Sequence, residues 1–170
     1  MIATAAESEA LAAGVSSTEG VFFVPALTGL GSPHWDPNAR GLICGLTRGS
    51  TAAHLVRAAL EAIAHQVADV LDVLPLEVGV LRADGGASAN SFLMQLQADL
   101  IGTRVEVSSE QETTALGATA LAGLGVGVWE SVSDIARLVR RGRTFEPQMD
   151  RSTAEAHRDA WRRALERALI

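Results

Sequence analysis

The chain has 170 residues, one domain's worth, and 48% of them are hydrophobic, enough to build a core. The 14 Lys and Arg against 20 Asp and Glu leave a net charge of −6, which argues against nucleic acid as a partner, because phosphates need a basic face. A single cysteine, Cys44, excludes a disulfide framework and a cysteine-based zinc cluster, and fits a reducing, cytoplasmic setting.

The opening "MIATAAESEALAAG" carries acids and no basic run, so it does not read as a signal peptide. Residues 4 to 13 predict the tail of a helix, and "GVSSTEG" is loop. "VFFVPAL" predicts a buried strand stopped by Pro25, and "GLICGL" a second short strand. Between them "TGLGSPHWDPNARG" is a long loop of glycines and prolines. The clearest helix spans Thr51 to Leu74. Val56, Leu60, Ile63, Val67, Leu71 and Leu74 step by three or four and predict its buried stripe. His54, Arg57, Glu61, His65 and Asp69 fall opposite, with i,i+4 pairs Arg57/Glu61 and His65/Asp69, and read as a solvated face.

Downstream, "VGVLRAD" predicts a strand, "ANSFLMQLQADLIG" a helix, "RVEV" a strand and "TTALGATALAGLG" a helix. Ser152-x-x-Glu155 has the form of a capping box opening a last amphipathic helix through Trp161, Leu165 and Leu169. The longest uncharged run, Thr113 to Trp129, is shorter than the ~20 apolar residues that span a bilayer, so no membrane segment is expected. Alternating strands and helices predict an α/β fold, a mostly parallel sheet flanked by helices. Only four strands are clear, which leaves a sheet edge open to self-association or to a partner chain.

One stretch points to a ligand. In "RADGGASANSF" a strand runs into Asp84, then Gly85 and Gly86, then Ala87, Ser88 and Asn90 at a helix start. The carboxyl end of a strand feeding a helix is where α/β sheets bind ligands, and bare glycine backbone lets a flat group lie against it. A tight turn with Ser88 or Asn90 as N-cap explains the same residues, and both readings stand on pattern alone. The glycines of "LAGLGVGVW" (Gly123, Gly125 and Gly127) follow a helix rather than a strand, so they read as a helix stop, not a dinucleotide fingerprint. Ser32, His34, Asp36 and Arg40 share one loop, but sequential neighbours do not make a catalytic triad, and a rigid structural loop is the simpler reading. The four histidines (34, 54, 65 and 157) show no metal-binding i,i+4 pair, so no metal site is expected, and there is no GxxxxGK[ST] phosphate loop.

Longer stretches carry a resemblance. "GVFFVPALTGLGSPHWDPNARGLICGLTRG", "HLVRAALEAIAHQVADVL", "LRADGGASANSFLMQLQADLIGTRVEV" and "TTALGATALAGLGVGVW" resemble the C-terminal domain of the FGGY family of carbohydrate kinases. Gly41, Ile43, Gly45, Leu46, His54, Leu55, Ala58, Ala59, Leu60 and Glu61 agree with a family signature, and Phe145-x-Pro147 and Trp161 extend the likeness. Within the family, "TGLGSPHWD" is similar to the glycerol kinase branch; xylulokinase-like and gluconokinase-like members tend to carry "GER-P" in that loop.

The resemblance implies a partial RNase H-like domain of the actin-like ATPase superfamily, with residues 1–170 as the C-terminal, nucleotide-binding portion. It implies ATP with Mg²⁺ as the substrate complex, ATP and ADP as ligands, and glycerol as acceptor only where the family's N-terminal domain is supplied. Gly86 and Asn90 match the family's nucleotide-contacting positions, with Gly85 and Ala87 flanking them. No catalytic residue is expected among these 170, because the family's activating aspartate and glycine-rich phosphate loop lie in its other portions. The chain alone is therefore expected to be inactive. Another FGGY sugar kinase, or a non-catalytic interaction module keeping the fold, is the alternative.

Overall fold

A computed structural model describes residues 2–110, 112–137 and 141–169. In chain order the elements are α1 (Glu7–Ala13), β1 (Phe22–Val24), β2 (Leu42–Cys44), α2 (Ala52–Asp72), β3 (Val80–Ala83), a 3-10 turn (Gly86–Ala89), α3 (Ser91–Ile101), β4 (Arg104–Ser108), α4 (Thr113–Gly125), α5 (Val132–Ala136), β5 (Arg141–Phe145) and α6 (Arg151–Leu165). The expected α/β class holds, built on two small sheets. β1 and β2 pair antiparallel, with Phe22 opposite Cys44. In the second sheet β3 and β4 run parallel, joined by α3, while β5 closes on β4 antiparallel. Among the named strands of the described residues, only β3 and β4 pair in parallel.

α2 is the axis of the molecule. Leu60 and Ala64 face one apolar cluster, with Leu93, Leu96, Leu100, Val105 and Val107. Ala62 faces another, with Val24, Ala26, Leu30, Trp161 and Leu165. His54 begins α2: its Nδ1 accepts from the Thr51 N–H at 3.0 Å, as the Glu of a capping box would. His54 is therefore a capping residue and not simply solvated.

The face of α2 expected in solvent is inside. Glu61, His65 and Asp69 are all buried, whereas Ile63 is 41% and Leu74 40% exposed. The cause is what packs there. Arg57 donates to Glu61 at 2.7 Å and to the carbonyl of Val15, tying in the chain after α1. From α6, Arg158 donates to Asp69 at 2.6 Å and to the His65 carbonyl at 2.9 Å, and Trp161 Nε1 donates to Asp69 at 2.8 Å. The His65 ring stacks on Trp161 with centroids 5.1 Å apart. Alanines at 58, 62, 64 and 68 let the neighbouring elements approach closely enough for those contacts.

The last helix also starts differently from expectation. Asp150, not Ser152, is its N-cap: its carboxylate accepts from the Thr153 N–H at 2.9 Å, and Glu155 pairs with Arg151 instead of reaching back. Hydroxyls of Ser152 and Thr153 also donate to Asp150 and hold its carboxyl well below the usual carboxylate range. α4 ends as the glycines predict: the Gly127 N–H bonds the Leu124 carbonyl and the Val128 N–H the Gly123 carbonyl, a Schellman closure with Gly127 at φ +81°. Gly123 is needed for another reason, since a Cβ there would lie 1.9 Å from the Trp129 ring. No helix among the described residues is long and apolar enough to cross a membrane.

Candidate functional site

The turn after β3 is built by three devices. Gly85 adopts φ +78°, ψ 177°, a conformation closed to other residues, so the turn itself demands this glycine. Ser88, buried, folds its hydroxyl back onto the Gly85 carbonyl at 2.7 Å. Asn90 then caps α3, its side-chain oxygen accepting from the Leu93 N–H at 2.9 Å. Its Nδ2 donates to Ser8 on α1 at 3.2 Å, so the amide orientation is set from both ends.

Gly86 is different. Its φ lies outside the left-handed region, and a Cβ added there would meet nothing within 4 Å. The fold does not require glycine at this position, and the surface over it is open. Gly86 and Ala87 are exposed beside a groove of about 600 Å³, lined also by Ala5, Ser8, Ala89 and Asn90. The structure thus gathers the four expected residues at one turn: Gly85 shapes it, Gly86 and Ala87 form its bare outer face, and Asn90 anchors its exit. Asn90 spends both polar ends of its side chain on the fold and sits at the rim of the groove.

The loop at residues 28–41 uses its polar groups internally. Asp36 Oδ1 accepts from the Asn38 and Ala39 N–H groups, and Arg40 donates to the Pro37 and Ala39 carbonyls. His34 Nε2 lies 3.9 Å from Asp69. No triad geometry appears in these contacts.

Two groupings were invisible to spacing. Glu61, His65 and His157 hold ligand-type atoms within 4.8 Å of one another, and His65 Nε2 is buried without a hydrogen-bond partner among the described residues. Spacing alone shows only an i,i+4 Glu/His pair on α2; His157 comes from α6. Arg57 already holds Glu61, and Arg158 Nη1 lies 3.3 Å from His65 Nδ1. An arginine only donates, so Nδ1 accepts and the ring proton sits on Nε2, which faces the cluster as a donor and not as a lone pair for a metal. Burial first, then the Arg158 and His157 charges, push the His65 pKa down from 6.5 to about 3, so the ring is neutral. The second grouping is Ser8 and Arg143, which brace the glycine turn from α1 and β5. A larger hollow of about 740 Å³ lies where α2, α3 and α6 meet, but its charged walls are occupied with one another, Arg158 with Asp72 and Arg162 with Asp159.

Residues 2–126 match the C-terminal domain of the FGGY family of carbohydrate kinases. The chain belongs to that family. Glycerol kinase of Rhodopirellula baltica is 53% identical over 99% of the chain and 32% of its own length. That of Pseudothermotoga lettingae is 52% identical over 99% of the chain and 35% of its length. The chain thus spans about a third of the length of the curated relatives it matches. Among solved structures, the Plasmodium falciparum glycerol kinase with ADP superposes with a TM-score of 0.88 at 38% identity, covering 99% of the chain and 35% of that protein. A xylulose kinase from Rhodospirillum rubrum gives 0.74 at 30% identity over 95% of the chain and 33% of its own length. This FGGY domain is glycerol-kinase-like, an actin-like, RNase H-like α/β unit whose described sheets are small and mixed.

Proposed function

We propose that this domain is the nucleotide-facing wall of a glycerol kinase, a cytoplasmic enzyme converting ATP and glycerol to sn-glycerol 3-phosphate and ADP. In this reading the adenosine half of the nucleotide lies over Gly86 and Ala87, with Gly85 shaping the turn and Asn90 at its rim. The observation that carries it is Gly86: the backbone does not need a glycine there, yet its missing side chain leaves an open surface beside a groove. The ADP-containing relative supports the choice of nucleotide. The higher identity to glycerol kinases than to the xylulose kinase supports the choice of acceptor. Mg²⁺ arrives with ATP as part of the substrate.

Phosphoryl transfer depends on positioning donor and acceptor and on stabilising spread charge. The acceptor pocket and its base fall to portions of the family that these 170 residues do not span. The domain by itself binds nucleotide without turnover, and its exposed apolar faces are covered by a second copy or by the kinase portion that these 170 residues do not span.

The test is a thermal melt with added ligand. A ligand that binds only the folded state must raise the melting temperature. ADP and Mg-ATP are expected to raise it and glycerol to leave it unchanged. Gly86→Val should abolish the nucleotide shift while keeping the unliganded melting temperature, since a side chain there meets open space. A wild-type chain indifferent to millimolar ADP contradicts the reading and favours a module that keeps the fold without the ligand.

A further inference from the structure

We infer that Arg143 is a positioning residue that holds the glycine turn in its ligand-receiving shape; the inference rests on the nucleotide reading above. Arg143 donates through Nη2 to the carbonyls of Ser88 at 3.0 Å and Ala89 at 2.8 Å, and through Nη1 to Ser91 Oγ at 2.6 Å. One planar guanidinium thus bridges the last half of the 3-10 turn and the first residue of α3. Its carbon also sits 5.5 Å from the centroid of the Phe145 ring, which steadies the fork. A lysine has the charge but not the fixed fork that reaches three acceptors.

The placement of Arg143 is prepared by the strand that bears it. Ser108 pairs with Arg141 and Glu106 with Thr144, so two steps along β4 face three along β5. The extra residue falls at Gly142–Arg143, a bulge, and bulges re-aim side chains. Gly142 makes the bulge possible: a Cβ there would stand 2.6 Å from the Val107 carbonyl oxygen and 3.0 Å from the Ser109 nitrogen. The sequence of causes runs from Gly142, to a bulge, to a redirected Arg143, to anchored carbonyls. In a trans peptide the N–H lies opposite the carbonyl, so anchoring the Ser88 and Ala89 carbonyls also fixes the direction of the Ala89 and Asn90 N–H groups. Without the clamp the turn samples other shapes, and apparent affinity falls with the fraction that remains competent.

The experiment uses the full chain as wild type, Arg143→Ala and Arg143→Lys, with ADP as the probe. Calorimetry reads ADP affinity, and hydrogen exchange reads the amides of the turn. In Arg143→Ala, affinity is expected to drop about tenfold. The Ser88 and Asn90 amides should exchange faster while those of α2 and β4 keep their rates. Arg143→Lys should recover little of either. Unchanged ADP affinity in the alanine variant overturns the inference. So does a lysine variant that binds like wild type, since charge alone would then suffice, and so does faster exchange across the whole chain. A wild-type chain without ADP affinity removes the nucleotide reading and this inference together, and that result shows in the wild-type arm alone.

Discussion

His65 shows how one side chain can link burial to solution behaviour. It is 1% exposed, stacked on Trp161, and held neutral because its burial and the neighbouring Arg158 penalise a second ring proton. In the unfolded chain the same ring takes up a proton below its ordinary pKa of 6.5; in the folded chain it waits until about 3. The unfolded state therefore binds more protons across that window, and stability falls as pH falls from 6.5 toward 3, by up to about 1.4 kcal/mol per pH unit. Above 6.5 this residue contributes no pH dependence. Urea midpoints measured from pH 7.5 to 4.5 should decline for wild type and decline less for His65→Phe, which keeps the stack and loses the titrating group. Parallel slopes would remove His65 from the account. At this scale the glycine turn was half legible. Gly85, Gly86, Ala87 and Asn90 stand out by composition, but nothing in the sequence separates Gly85, which the backbone conformation requires, from Gly86, which it does not. That distinction needs dihedral angles and the space around each Cα.

Among the elements, local signals are legible in the sequence and tertiary ones are not. The length of α2 follows from its periodicity, and the stop of α4 from Gly127. Val56 and Leu60 of the expected stripe are buried, but the rest of the buried face of α2 is not legible in its pattern, because the alanines that permit close packing carry little hydrophobic weight, and Arg158 and Trp161, which hold Asp69 inside, come from α6, about 90 positions away. β5 was missed for a related reason: "RGRTF" has two arginines and a glycine, and it becomes a strand only by pairing with β4. α4 presents the reverse case. Its sequence is apolar on nearly every side, the signature of a buried helix, yet Leu121 is 67% exposed, and Val126 and Val128 just beyond it are 79% and 66%. Such a surface favours association. Light scattering should give a mean mass that rises with concentration, and Leu121→Lys with Val128→Lys should return it to the monomer value. A wild-type mass independent of concentration would contradict this use of α4.

For the molecule as a whole, the two apolar clusters meet along α2, and the polar contacts lock α1 and α6 onto it. The glycine turn lies at the edge of this assembly, braced by Ser8 from α1 and by Arg143 from β5. Neither Ser8 nor Arg143 belongs to the two apolar clusters, so the support of the turn is separate from the core. The exposed apolar residues of α2 and α4 and the small size of both sheets fit a domain that spans about a third of its curated relatives. The measurement that tests the central claim most directly is a titration of the labelled chain with ADP, followed through its backbone amide resonances. The account predicts that the largest shifts fall on Gly85, Gly86, Ala87 and Asn90 and saturate together. Saturable shifts centred on the hollow around Leu76, Thr103 and Arg162, with residues 85–90 unmoved, would contradict it.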